Sequence, residues 1–233
     1  MVDLSAEVAE LWASLGPPAP GRARAVQFVS ARRGEGASTV AREFARFAAR
    51  RAGRTVWLVD LDLFGSPQHA ALTADPEHYG RLGAPVSASP EGKAFFTVRP
   101  PTRMPDGSEA PDGRFLVGHP VGEHRFWVTR FRADVLKGQQ AVHIMPSADY
   151  WQALKRYADL IVVDGPAADQ SESAVTVAPY MDQTVIVVAA DQPDVRAPAQ
   201  LRDAISAAGG RPSGVFFNRA EVQTPGFLKA ILP

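Results

Sequence analysis

The chain has 233 residues, 45% of them hydrophobic, with 25 basic residues against 25 acidic ones and no cysteine. That length and apolar content suit one large α/β domain, or one domain plus a small insert, and exclude wholesale disorder. A net charge of zero argues against non-specific nucleic-acid binding, which needs a basic face, and the lack of cysteine removes disulfides and thiolate metal sites.

In chain order, residues 2–15 predict a short helix with Leu4, Val8, Leu11, Trp12 and Leu15 on one side. The stretch Gly16-Pro17-Pro18-Ala19-Pro20-Gly21 stops it and reads as a linker, so residues 1–21 form a unit set off from a domain over 22–233. That helix can pack on its own domain or on a partner, and both stay open. It is acidic and lacks the basic n-region of a signal peptide, and no apolar run approaches the ~18 residues of a membrane span. These features read as a soluble, cytoplasmic protein.

Residues 25–30 predict a strand, 37–52 a helix closed by Gly53, and 55–60 a second strand ending at Asp60. Residues 65–140 are dense in Pro and Gly and predict a β-rich or loop-rich insert, centred on about 70–140, with Asp112-Gly113 as a hairpin-type turn. The rhythm of alternating strand and helix then returns. Strands are expected at 142–145, 160–163, 183–190 and 213–217, with helices at 148–157, 172–179, 194–208 and 225–232. Asp194 is a plausible N-cap and Gly209 a helix stop. This order predicts an α/β fold, a three-layer parallel sheet with helices on both faces, joined by right-handed crossovers.

The chemistry concentrates between Ala25 and Asp62. A strand, a loop from Ala31 to Gly36 and a helix starting at Ala37 have the layout of a phosphate-binding P-loop, where backbone N–H groups and a helix N-terminus cradle an anion. Gly34 and Gly36 allow close approach of the backbone, and Ser38 stands where a P-loop hydroxyl meets Mg²⁺. The lysine position, however, holds Ala37. Arg32 and Arg33 within the loop could restore part of the missing charge, although a planar guanidinium reaches differently from an ammonium. Three acidic signals end apolar strands: Asp60 with Asp62, Asp164, and Asp191. Carboxylates at the carboxyl ends of parallel strands can hold a divalent cation or orient an attacking group. No H-E-x-x-H or G-x-S-x-G pattern is present among the five histidines and the serines.

Taken together, these residues resemble the cytoplasmic domain of the bacterial tyrosine kinases that accompany polysaccharide copolymerases, within the larger P-loop group of partitioning and division-site ATPases. The loop Ser30-Ala31-Arg32-Arg33-Gly34-Glu35-Gly36-Ala37-Ser38-Thr39 is similar to S-x-x-P-G-E-G-K-S-T. The run from Val56 through Asp60-Leu61-Asp62-Leu63 to Pro67 is similar to V-L-L-I-D-x-D-L-R-x-P, and Tyr157 through Asp164-Gly165-Pro166 to Y-D-x-I-I-I-D-T-P-P. Gly214 to Arg219 resembles the strand end whose asparagine, here Asn218, meets the nucleotide base.

The resemblance implies ATP and Mg²⁺ as cofactors. Arg32, Arg33, Gly34, Glu35, Gly36, Ala37, Ser38, Thr39 and Asn218 would contact nucleotide, Ser38, Asp60 and Asp164 would hold the metal, and Asp60, Asp62 and Asp164 would act in catalysis. It further implies a role in surface polysaccharide biosynthesis and export of the capsule, exopolysaccharide or holdfast type. The partner would be an inner-membrane copolymerase or a homologous subunit, with homo-oligomers allowed, no nucleic acid, and a peripheral place at the inner membrane through that partner. The departures are Ala37 and the lack of a tyrosine cluster near Phe227 to Pro233. They point to a catalytically impaired partner or regulator. The alternatives are an active tyrosine kinase using an arginine in place of the lysine, and a partitioning or positioning ATPase relative.

Overall fold

The computed structural model describes residues 4–19, 21–123, 125–191 and 194–220. The helix expected at 225–232 lies outside them.

Four central strands carry the fold: β1 (Arg24–Ser30), β2 (Thr55–Asp60), β8 (Ala158–Asp164) and β9 (Gln183–Ala189). They pair in parallel, with β1 between β8 and β9, and β2 on the far side of β8. Their apolar runs are continuous because both faces are covered. In β8, Leu160 and Val162 enter one core, while Ile161 and Val163 enter the core on the opposite face. This alternation is the period of 2 that a pleated strand imposes.

The first of these cores is covered by helix α2 (Ala37–Ala49), whose Val40, Phe44 and Ala48 are buried at helical spacing. Helix α1 (Ser5–Leu15) packs on α2. Leu4 and Val8 are buried, and the Trp12 ring lies 5.7 Å from Phe44 and 6.1 Å from Phe47. Of the two packings open to α1, its own domain is the one observed. Helix α2 ends at Ala49 with Arg50 as its cap, short of the expected Gly53.

The opposite face is covered by α5 (Ala148–Lys155), through Tyr150, Trp151 and Leu154, and by a two-stranded antiparallel pair, β4 (Phe96–Arg99) with β7 (Ala141–Ile144). A third apolar cluster joins Ile186 and Val188 of β9 to Leu201 and Ile205 of α7 (Arg196–Ala207). Asp194 sits just before α7 and accepts from Arg196 N and Ala197 N at 3.0 and 3.3 Å. The edge strand β10 (Pro212–Asn218) pairs with β9.

The insert does not stand apart from the sheet. Strand β6 (Phe126–Phe131) lies parallel to β2, and the indole rings of Trp57 and Trp127 stack at 5.2 Å. Strand β5 (Leu116–Val121) runs antiparallel to β6, and β3 (Val86–Ser87) antiparallel to β5. Among the described residues the sheet therefore has eight strands in the order β10-β9-β1-β8-β2-β6-β5-β3, parallel at its centre and mixed at one end. Asp112-Gly113 is not the hairpin turn: it opens a single 3₁₀ turn, Asp112–Phe115. A Cβ on Gly113 would lie 2.7 Å from Ser89 Cβ, so the glycine serves close packing rather than a positive φ. The reversal between β5 and β6 falls at Gly122, where φ is +60°.

Short helices α3 (Pro67–Ala74) and α4 (Pro76–Tyr79) follow β2, and α6 (Ser173–Val177) follows β8. Among the described residues no helix is long and apolar enough to cross a membrane.

Candidate nucleotide site

The loop between β1 and α2 is held from three sides. From inside, Glu35 is buried and accepts from Arg32 N at 2.8 Å, while the Ser30 hydroxyl donates to Arg32 O at 3.0 Å. From the turn that follows β8, Asp169 accepts from Arg33 N at 3.1 Å. From β10, Asn218 Nδ2 donates to Glu35 O at 2.9 Å, and its Oδ1 accepts from Arg219 N at 3.0 Å. Gly34 and Gly36 take φ of +91° and +95°, which opens the loop's concave side.

A cavity of about 590 Å³ lies over this loop. The structure brings Arg33, Gly34, Gly36, Ala37, Ser38 and Thr39 to its wall and Asp60, Asp62 and Asp164 to its floor. Three of the expected nucleotide residues do not line it. Glu35 and Asn218 are turned into the loop's own bonding. Arg32 points away, with Nε and Nη2 on Asp194 Oδ2 at 3.0 and 2.5 Å, and it edges a separate groove of about 1000 Å³ between α6 and α7. Arg219 lines the cavity and had no role assigned from sequence. Its only signal there was its place directly after Asn218.

Asp60 and Asp164 face each other in register on β2 and β8. One buried residue ties them together. Gln68, at the start of α3, donates its backbone N–H to Asp60 Oδ2 at 3.0 Å. Its Nε2 donates to Asp164 Oδ2 at 2.6 Å and to Ser38 O at 2.8 Å. Its Oε1 accepts from Arg42 Nη1 at 3.0 Å. This glutamine satisfies every polar group it buries, and it too had no role assigned from sequence. Asp62 N donates to Asp60 Oδ1 at 3.0 Å, so both oxygens of Asp60 are committed to backbone donors. Asp164 Oδ1 is buried with no hydrogen-bond partner among the described residues.

Burial pushes the Asp164 carboxyl up to about 6, against the opposing pull of the Gln68 amide and the Ser38 hydroxyl. Burial, reinforced by the neighbouring Asp164 charge, also raises Asp60 well above the ordinary carboxylate value. The sign for stability follows from linkage. A carboxyl raised in the folded state favours folding below the unfolded value and loses that contribution as pH rises through the folded value. Stability attributable to Asp164 is thus expected to fall between about pH 3.8 and about pH 6. Asp164→Asn is expected to raise stability at pH 8 by about 1–3 kcal/mol and to change it little at pH 4, measured by thermal melts at both.

The donor set allows a test of the metal. Among the described residues no three carboxylates or imidazoles gather closely enough to ligate a cation directly. Asp164, whose Oδ1 has no partner among the described residues, and Ser38 both line the cavity. Such a pair suits a hydrated Mg²⁺, which keeps most of its waters and shares the phosphate oxygens of a ligand. When bound, the ion would supply positive charge against those phosphates.

The loop, helix and acidic strand ends, mounted on this sheet, define a P-loop NTPase-like α/β protein. Solved structures share the fold. The kinase domain of Escherichia coli tyrosine kinase ETK superposes with a TM-score of 0.57 at 14% identity, over 93% of this chain and 75% of that one. The chimerical protein CapA2B2 gives 0.55 at 16% identity, over 86% and 78%. Cobyrinic acid a,c-diamide synthase from Mycobacterium smegmatis, solved with ADP and magnesium, gives 0.50 at 15% identity, over 83% and 71%. No protein-family model matches the chain, and no curated protein matches it in sequence.

Proposed function

We propose that this protein is a kinase-like P-loop protein of bacterial surface polysaccharide export, catalytically impaired and acting as a partner or regulator. The observation that carries the reading is Ala37 at the first position of α2, facing a cavity whose floor is built from Asp60, Asp62 and Asp164. Phosphoryl transfer depends on positive groups that stabilise developing charge, and loss of one such group typically costs several kcal/mol. The loop retains its fold because glycine geometry and the bonds from Glu35, Asp169 and Asn218 hold it, none of which needs a lysine. Likeness in fold to the ETK kinase domain and to CapA2B2 supports the export setting. In that setting the protein would dock on an inner-membrane copolymerase or a homologous subunit, or assemble with copies of itself.

Residues of this chain would still position a nucleotide. Backbone N–H groups from Gly34 to Ser38 would face the phosphates, and Ser38 with Asp164 would hold Mg²⁺ through its waters. Calorimetry with Mg-ATP is expected to show binding weaker than micromolar, with no ATP turnover and no tyrosine phosphorylation. A micromolar dissociation constant accompanied by turnover would defeat the reading. It would favour instead an active kinase in which an arginine replaces the lysine, an alternative that the presence of Arg33 on the cavity wall keeps in view.

A further inference from the structure

We propose that Arg219 is the cation this cavity offers to a phosphate group in place of the lysine the loop lacks, so that a phosphate-bearing ligand is held without being turned over. The assignment rests on the impaired-site reading above. It concerns a residue that neither the loop motif nor its spacing selects.

Three observations single out Arg219. First, it lines the same cavity as Gly34, Gly36 and Ala37 while belonging to the end of β10, distant in sequence. Second, it is already tethered across the loop. Nη2 donates to Gly34 O at 2.6 Å and Nη1 to Asp191 Oδ2 at 3.3 Å. Third, its backbone φ is +58°, in the left-handed region that a long side chain rarely adopts. Asn218 Oδ1 on Arg219 N helps hold it there.

The remaining arginines near the loop are less suited. Arg32 is turned out onto Asp194. Arg42 is engaged by Gln68 and by the Tyr79 hydroxyl, and it does not line the cavity. Arg33 does line it, yet its guanidinium has no hydrogen bond or ion pair among the described residues. Binding through Arg33 alone must therefore order a long free side chain. Arg219 is ordered beforehand by two bonds, which lowers that cost.

The donor count allows the proposed role. A guanidinium carries five N–H groups. Two serve Gly34 and Asp191, leaving three for phosphate oxygens. The Asp191 contact is an exposed ion pair, worth little by itself and easily exchanged for a stronger one to phosphate. Arg219 is anchored at Gly34 rather than at residue 37. Its charge therefore meets a bound phosphate at the rim, away from the position where phosphoryl transfer would need it.

The test is calorimetry on the full chain, without magnesium, using ADP and inorganic pyrophosphate as probes. Both are expected to bind the wild type in the submillimolar to millimolar range. Arg219→Gly is expected to weaken each by about tenfold, the loss of one charge-assisted contact. Glycine accepts a positive φ, so this variant removes the guanidinium while easing the backbone. Arg219→Lys is expected to fall between the two, because it keeps the charge and loses the fork. Arg202→Ala, which removes an exposed arginine bonded to Asp203 on α7, is expected to leave both constants unchanged. Wild-type affinity should also fall more steeply with salt than that of Arg219→Gly.

Failure of either probe to bind the wild type at millimolar concentration overturns the proposal. Equal affinity in wild type and Arg219→Gly overturns it, as does an equal loss in Arg202→Ala. ATP turnover by the wild type would defeat the impaired-site reading, and with it the claim that the ligand is held without being turned over, while the phosphate contact of Arg219 is decided separately by the Arg219→Gly comparison. Loss of the Arg219 effect alone would defeat that contact and leave the impaired-site reading standing.

Discussion

Gly36→Ala is expected to destabilise the protein by about 2–4 kcal/mol and to deform the mouth of the cavity. The reason is local and twofold. Gly36 sits at φ +95°, ψ 14°, where an L side chain meets its own backbone. Its added Cβ would also lie 2.1 Å from Asn218 Nδ2, a distance at which one of the two must move. Asn218 is buried and cannot swing away cheaply. Moving it breaks the bond to Glu35 O and releases the acceptor that holds Arg219 N. A double-mutant cycle with Asn218→Ala separates the two costs. In the Asn218→Ala background the steric part disappears, so Gly36→Ala should cost only about 1–2 kcal/mol, read from urea unfolding. Additive losses would mean that Asn218 does not constrain the loop.

Ala37→Lys is expected to raise Mg-ATP affinity by about 10–100-fold, measured by calorimetry. Ala37 is nearly buried at the first turn of α2 and lines the cavity, so a longer side chain enters the space a nucleotide's phosphates would occupy. The floor there carries Asp60, Asp62 and Asp164, with no cation on it among the described residues. An ammonium added at this point attracts phosphate and offsets the repulsion from the carboxylates. Ala37→Met is the control, since it adds similar length without charge. If lysine and methionine give the same affinity, charge at residue 37 is not what the cavity lacks, and the pocket has been remodelled more widely.

The strand–loop–helix–strand unit from Arg24 to Asp60 was legible in the sequence nearly to the residue. Its runs are long, continuous and bounded by glycine or charge, and the local signal of apolar runs and helical spacing suffices. The same holds for Asp60, Asp62 and Asp164, because a carboxylate that ends an apolar strand marks the carboxyl edge of a parallel sheet. The insert was less legible. It was expected only to be β-rich or loop-rich, and the pairing of β5 and β6 beside β2 depends on Trp57 meeting Trp127, a contact between residues 70 positions apart. The Asp112-Gly113 pair shows the weakness of turn signals taken alone, since glycine answers both a positive φ and close packing, and only Ser89 settles which.

The sequence by itself determined that this protein has a phosphate-loop scaffold, an acidic floor beneath it and no lysine at residue 37, because each of these is a property of residue type at a fixed local spacing. Only the tertiary structure decided that α1 covers α2, that Arg32 faces Asp194 while Arg219 reaches Gly34, and that Gln68 joins Asp60 to Asp164. The physical reason is that a long polar side chain goes where its partner is. Those partners stand on strands and helices that come together only when the sheet is assembled.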